Sequence, residues 1–393
     1  MNQPSKINPG RGRIVSYWLT GLILTLSLAS LHGSIWRGSR DLHTHMEIIA
    51  TLLAAIVGAL ALVRFYAKKN NTFLFIGTGF LGTALLDGYH AVVTSELILP
   101  LMPSDLPSLI PWSWLASRLF LSVMIFLGWY CWFRSQRVGA EGTISERTVY
   151  IYSGLFTLTC FLFFAFTPLP TGYFPDIAFH RPGEFGPALF FLAALIGYLK
   201  KGRWRDDSFE HWLILSLIIA VIGQTLFSSQ SGQLFDYEFY IAHLLKNASY
   251  ICVLIGLLFN MSLISRQAEE GEGLFRGAIE SLQEGFAYYG PDDRLKIYND
   301  EFVRLHSTVQ DIIKPGLLFE DLVRITIQRG GIAKAVGREE EMLRERMEQH
   351  RNSPGSILRE LTDGTWYIIS EAKTPEGGIV VTHTDITELK DAE

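Results

Sequence analysis

The stretch RDLHTHMEIIATLLAAIVGALALVRF puts two imidazoles and a carboxylate, His43, His45 and Glu47, at the lip of an apolar run. A second stretch, LLDGYHAVV, places Asp87 and His90 three residues apart at the end of another apolar run. Helical pairs at i, i+3 or i, i+4 share a face, so His43 with Glu47 and Asp87 with His90 can each present two ligating atoms to one point. Imidazole with carboxylate suits a borderline transition metal, and His43, Glu47, Asp87 and His90 form the candidate metal set. A second chemistry fits the same groups. Arg118 in WSWLASRL and Lys246 in AHLLKNASY could hold an acid group while the histidines, His32, His43, His45, His90 and His243, respond to protonation. Spacing leaves metal and small organic or lipid-like ligand both open. The plain alternative is that these side chains reach interfacial water or pin helices together.

The elements that position these residues are set by a greasy composition. The chain has 393 residues, 49% hydrophobic and 19% charged, too apolar for an ordinary soluble enzyme of this length. Charge is unevenly spread: residues 269–393 carry 25 acidic against 15 basic side chains, and the rest carries 14 against 19. A weakly basic membrane half thus precedes an acidic soluble half, and neither has the dense basic patch of a nucleic-acid binder. Cys131, Cys160 and Cys252 each lie in an apolar run, which predicts small buried hydrophobes and neither a disulfide framework nor a CxxC metal site.

Apolar runs long enough to span a bilayer occur near 14–36, 46–66, 72–93, 112–133, 149–167, 185–199, 209–228 and 239–264. Lys and Arg gather in every second connection, at Lys6 to Arg13, Arg64 to Lys69, Arg134 and Arg137, Lys200 to Arg205, and Arg266. Cytoplasmic loops retain basic residues, so a multi-pass bundle of about eight spans with both termini cytoplasmic is expected. The first run is expected to stay as a span, since it is longer than a signal-peptide core and the alternation needs it. With this topology His32, His43, His45, Glu47, Asp87, His90, Arg118, His243 and Lys246 all reach one stratum near the extracytoplasmic face. An ionisable group in hydrocarbon costs on the order of a few kcal/mol unless paired, so such a gathering is a functional-site hypothesis. Elsewhere, His211 reads as a tether, Gln224 as a cross-helix hydrogen bonder, Trp112, Trp114, Trp129 and Trp132 as an interfacial belt, and Gly77, Gly79 and Gly82 as close-packing positions.

After the charged connector LISRQAEEGEGLFRGAIESLQ the pattern turns to period two. EGFAYYGPDDRLKIYNDEF reads as strand, Pro-Asp-Asp turn, strand, and a helix capped by Asn299. FEDLVRITIQRG and GREEEMLRERMEQHR read as helices, and three strands follow, divided at Asp363-Gly364 and at Pro375 to Gly378. This is an α+β order with an antiparallel sheet.

IESLQEGFAYYGPDDRLKIYNDEF, GREEE, DGTWYIISE and GGIVVTHTDITELK together resemble a PAS domain of the type found in bacterial sensor kinases and cyclases, over 274–389. The resemblance implies that Asp385, Ile386 and Thr387 tie the last strand to an outgoing signalling helix, with 390–393 its beginning. Residues 1–264, with His43 and Glu47, LLDGYH and W-x-x-x-R at Trp114 and Arg118, are similar to membrane-associated sensor domains of the third MASE type, joined through a 265–273 connector. That resemblance implies sensing without fixing the ligand. A flavin photochemistry would need a reactive cysteine, which the PAS segment lacks. His306, His350 and His383 are the haem-ligand candidates, but His306 at a helix end and His383 in a strand read as packed or solvent-facing, so an empty relay is expected, with a small apolar ligand the alternative.

No phosphoacceptor helix, ATP-binding boxes, GG(D/E)EF loop, Walker glycine loop or Ser/His/Asp array is legible. The chain is therefore expected to be the input half of a sensor in a bacterial inner membrane, in the lipid bilayer as a homodimer, acting on a downstream kinase, cyclase or response partner. The alternative is a transporter or metal-dependent membrane enzyme with a regulatory PAS domain.

Overall fold

A computed structural model describes residues 9–31, 34–138, 144–332, 335–352, 355–360 and 364–391. The chain divides into two compact units, Met1–Ile264 and Ser265–Glu393.

The first unit is built from α1 (Pro9–Leu31), α2 (Arg40–Lys68), α3 (Asn71–Val93), α4 (Leu106–Val138), α5 (Glu146–Phe166), α6 (Phe185–Lys201), α7 (Ser208–Ile222) and the first part of α8 (Tyr237–Glu280). Among the described residues, seven of these helices are long and apolar enough to cross a membrane; α3 falls outside that set. Its composition explains why, for its 23 residues include Asp87, His90 and four glycines. Its placement explains how that is tolerated, because 17 of them are buried and α3 need not face lipid.

Local chemistry fixes where each helix begins and turns. Ser39 accepts a hydrogen bond from the Leu42 amide and caps α2, so His43 and Glu47 fall in its first two turns. Lys69 ends α2 in the left-handed region (φ 46°), and Asn70 caps α3 through the Thr72 amide. This two-residue turn sends α3 back along α2, returning Asp87 and His90 to the end where His43 and Glu47 began. Asp236 accepts from the Phe239, Gly232 and Gln233 amides and sets the start of α8, which carries His243 and Lys246. A π-helical turn, Gly223–Ser228, closes α7 and contains the buried Gln224.

Glycine permits the close approach of α2 and α3. A Cβ on Gly58 would stand 2.8 Å from the Leu81 backbone nitrogen, and one on Gly77 3.0 Å from that of Leu62. Gly79 and Gly82 receive Met124 and Phe120 of α4 in the same way. At the far end, Tyr17 and His211 share a 2.8 Å hydrogen bond, which gives His211 its tethering role.

Several limits differ from the sequence expectation. α1 ends at Leu31, so Trp36 stands outside it and exposed. α4 begins before Pro111, which therefore lies inside the helix, in its second turn, and cannot donate the helical bond of that position. Trp114 is buried within the bundle and is no belt residue. Cys131, Cys160 and Cys252 are free but only half-buried.

In the second unit α8 runs on to Glu280, and a five-stranded sheet follows, made of β1 (Gly285–Tyr289), β2 (Leu295–Tyr298), β3 (Ser356–Glu360), β4 (Trp366–Lys373) and β5 (Ile379–Asp385). The order is β2-β1-β5-β4-β3 with every pair antiparallel. α9 (Asp300–Leu305), α10 (Phe319–Gln328) and α11 (Glu339–Asn352) connect β2 to β3, and α12 (Thr387–Asp391) follows β5. Asn299 caps α9 by accepting from the Phe302 amide at 2.9 Å. Gly377 (φ 87°) makes the β4–β5 turn; Asp363 of the other expected turn lies outside the described residues.

Gly58→Ala is expected to destabilise the bundle by about 1–3 kcal/mol, because the atoms it meets include the Leu81 backbone nitrogen, which cannot swing aside as a side chain can. Thermal unfolding in detergent checks this against Gly21→Ala, whose added methyl meets nothing within 4 Å.

Candidate functional site

Four helices bring ionisable side chains together at the end where α2 begins. On α2, His43 and Glu47 lie one turn apart and are completely buried. His45 is exposed and hydrogen-bonds back to the Asp41 carbonyl at 2.6 Å. A step of two residues turns a helix by roughly 200°, so His45 cannot share the face of His43, and it does not belong to the cluster. His32 lies outside the described residues.

His90 of α3 and His243 of α8 complete an imidazole group. Nε2 of His43 and Nε2 of His90 are 3.1 Å apart, and Nε2 of His243 is 3.2 Å from a Glu47 oxygen. One atom from each of His43, Glu47, His90 and His243 falls within 4.8 Å of all the others, and all four residues are buried. Asp87, expected as the fourth ligand, stands outside this set because it lies one turn deeper on α3.

The partners of the rings decide their tautomers. His243 Nδ1 is 2.7 Å from the Phe239 carbonyl oxygen, which can only accept, so Nδ1 carries the hydrogen. His90 Nδ1 is 2.6 Å from Ser113 Oγ, whose own hydrogen is donated to the Leu109 carbonyl at 2.5 Å, so His90 Nδ1 also donates. In both neutral rings Nε2 is therefore a bare lone pair aimed into the cluster. The 3.2 Å approach of His243 Nε2 to Glu47 is accordingly a contact of two acceptors, and that nitrogen has no hydrogen-bond partner among the described residues.

Lys246, one turn after His243, donates to both oxygens of Glu47 at 2.7 and 2.6 Å. It also lies 3.5 Å from Asp87. Asp87 accepts from Ser117 Oγ at 2.5 Å and from the Tyr250 hydroxyl at 3.2 Å. Arg118 donates to Tyr250 at 3.4 Å and to Gln224 at 3.3 Å, and its guanidinium stacks over Phe191. Gln224 in turn donates to Glu184 at 2.6 Å, where Trp114 Nε1 and Arg181 also converge. The chain of contacts thus balances three carboxylates, Glu47, Asp87 and Glu184, with three cations, Lys246, Arg118 and Arg181. Sequence reading named most of this set but missed Arg181 and Glu184, which lie in a connection that folds back into the bundle. Their one signal was a basic and an acidic residue three apart in an otherwise nearly uncharged loop.

Aromatic rings close the cluster. Trp114 and Phe239 pack on His243 with centroids 4.3 and 4.2 Å away, and Phe235, held at φ 63°, lies 6.0 Å from His43. A bulky residue at positive φ is costly, so its persistence marks a backbone held by its surroundings. The Phe235 carbonyl accepts from the Gly38 amide, which ties the two connections over the site.

The PAS unit has its own cavity of about 90 Å³, lined by apolar side chains such as Leu322 and Val381 and by His306, His383, Arg346 and Arg359. Burial lowers His306 to about 4 and His383 well below the usual histidine range. His306 Nδ1 meets the Phe302 carbonyl at 2.8 Å, and His350 stacks on Phe319 at 3.6 Å. At the exit, Asp385 accepts from the Thr387 amide and hydroxyl at 2.9 and 2.6 Å, capping α12. The Ile386 amide donates to the Trp366 carbonyl, and the Trp366 amide to Thr387 Oγ1, which bind that cap to β4.

Two outcomes follow from this geometry. Replacing Lys246 with Met leaves buried carboxylates without their cation and is expected to cost about 3–5 kcal/mol, while Glu47→Gln with Lys246→Met together costs less than the sum; denaturation of the four species in detergent measures it. In the PAS unit, the unfolded chain takes a proton on His306 and His383 before the folded one does. Stability is therefore complete above about pH 6.5 and falls as pH drops toward 4, by up to roughly tenfold per unit per histidine. Hydrogen exchange of β5 amides at pH 7 and pH 5, corrected for intrinsic rates, checks the sign.

Comparison with known proteins agrees with both units. Residues 41–261 match the membrane-associated sensor domain family MASE3, and residues 279–393 match a PAS fold family. A relative from Caulobacter vibrioides, the "Non-motile and phage-resistance protein", is 31% identical over 131 residues, which are 32% of this chain and 14% of that protein. The chain thus spans a small part of that relative's length. No solved structure matches. With a sensor-domain match covering more than half its length and a PAS fold behind it, the chain belongs to the MASE3 family of membrane-associated sensor proteins.

Proposed function

We propose that the chain is a bacterial inner-membrane receptor whose input is the buried His43–Glu47–His90–His243–Lys246 cluster and whose relay is α8. The alternation of basic loops supports an orientation with both termini in the cytoplasm and the cluster near the opposite face. The observation that carries the reading is that α8 supplies His243 and Lys246 near its start and continues unbroken to Glu280. There the Ile279 carbonyl accepts from Asn299 Nδ2, and Glu280 accepts from the Asp300 amide, so the helix end is joined to the PAS strand–helix junction.

A ligand that favours one arrangement of Lys246 between Glu47 and Asp87 favours one pose of α8 against α2 and α3. Only its difference in affinity for the two poses can shift the equilibrium. Asp385, Ile386 and Thr387 then couple the PAS sheet to the outgoing α12 and to a kinase, cyclase or response partner. Exposed Leu274 and Phe275 on the polar stretch of α8 support pairing with a second copy.

Hydrogen exchange of the full chain in nanodiscs tests the relay. Lys246→Met is expected to change exchange in β5 and α12 at least severalfold, with the bundle still folded. Unchanged PAS exchange in that folded variant contradicts the proposal.

A further inference from the structure

We infer that His43, Glu47, His90 and His243 form a binding site for one borderline transition-metal ion, which Lys246 gates by competing for Glu47. The binding stands on the geometry; its signalling role rests on the receptor reading above.

The first reason is the direction of the lone pairs. His90 and His243 each commit Nδ1–H to an outside acceptor, so two bare Nε2 atoms and a carboxylate oxygen face one another with no hydrogen to share between His243 and Glu47. His43 adds a third ring whose Nε2 faces His90 while its buried Nδ1 has no partner among the described residues. Whichever nitrogen of His43 bears the hydrogen, one buried position is left unmet, and buried polar groups are rarely left so. A cation at the convergence point would take the lone pairs of all four ligand atoms at once and leave the His43 Nδ1–H as the one position of the set still without a hydrogen-bond partner among the described residues.

The second reason is scale. Nitrogen and oxygen ligands about 2.0–2.1 Å from a tetrahedral ion stand roughly 3.3 Å from one another. The closest pairs are 3.1 and 3.2 Å apart, and the whole set lies within 4.8 Å. The third is that Ser113 and the Phe239 carbonyl orient the two rings through Nδ1, as outer partners of metal-ligating histidines do. Three imidazoles and one carboxylate fit Zn(II), Co(II), Ni(II), Cu or Fe(II), and not Ca²⁺ or Mg²⁺, which take oxygen.

Lys246 holds both oxygens of Glu47, and its positive charge opposes an entering cation. Asp87, 3.5 Å from the same ammonium, offers it a second carboxylate. An ion that takes Glu47 therefore transfers Lys246 toward Asp87 and changes which helix α8 is bound to.

The test uses the tag-free full chain in detergent, stripped with chelator, equilibrated separately with Zn(II), Co(II) and Cu(II), freed of excess ion and assayed for metal by elemental mass spectrometry. About one ion per chain is expected for at least one metal, unchanged in His45→Ala and reduced at least tenfold in the His43→Ala, His243→Ala double variant. Lys246→Met is expected to lower Kd about tenfold or more, a gain of function that misfolding cannot mimic. No retained ion in the monodisperse wild-type chain, as when a proton alone fills the site, or equal retention by the double variant, overturns the inference. Metal bound at the site with no change in PAS exchange defeats the receptor reading and leaves the site standing; altered PAS exchange in Lys246→Met without any bound metal does the reverse.

Discussion

The ion pair of Lys246 with Glu47, and its nearness to Asp87, is the constraint around which the membrane unit is arranged. An isolated ammonium or carboxylate removed from water loses several kcal/mol of solvation, and attraction repays this only when geometry is close and other polar groups complete the shell. α2, α3 and α8 must therefore meet at this point. Ser117 and Tyr250 finish the shell of Asp87, and Arg118, Gln224 and Glu184 extend it to the other side of the bundle. Glycines at the α2–α3 contact let the backbones come near enough for these short side-chain links to form.

Such a network is informative because it is balanced but not saturated. Three carboxylates meet three cations, yet His43 Nδ1 is left without a hydrogen-bond partner among the described residues, and His243 Nε2 meets Glu47 at 3.2 Å without a hydrogen to share. Polar groups that are fully satisfied hold a fold in one state; a partly satisfied cluster can be biased by whatever enters it. Lys246 has two carboxylates to choose from on two different helices, which is the kind of discrete alternative that coupling between sites needs. In the proposed relay α8 carries that choice to the PAS unit, where Asn299 after β2 and the Asp385 cap after β5 are junctions at the same end of the sheet, beside the start of β1.

Much of this was legible in the sequence because both helical and strand periods are strong. The span order, the capping by Asn299 and the strand count follow from apolar runs and turn residues. His43 with Glu47, and Asp87 with His90, follow from helical spacing. What sequence could not give was depth and rotation at the resolution of single residues. His45 sits between two cluster residues yet faces outward, and Asp87 gives way to His243 among the converging atoms because it lies one turn further in. Arg181 and Glu184 were invisible for another reason: hydropathy does not reveal a loop that folds back to place charges inside a bundle. Trp114 reads as a belt residue until its indole is seen donating to Glu184.

The most direct measurement of the central claim is proximity of α2 and α8 at the cluster. In a chain with Cys131, Cys160 and Cys252 replaced, His43→Cys paired with His243→Cys should cross-link within one molecule in the membrane with a short bis-thiol reagent, while His45→Cys paired with His243→Cys should not. Equal cross-linking of the two pairs, or none in the first, would contradict the convergence on which the account depends.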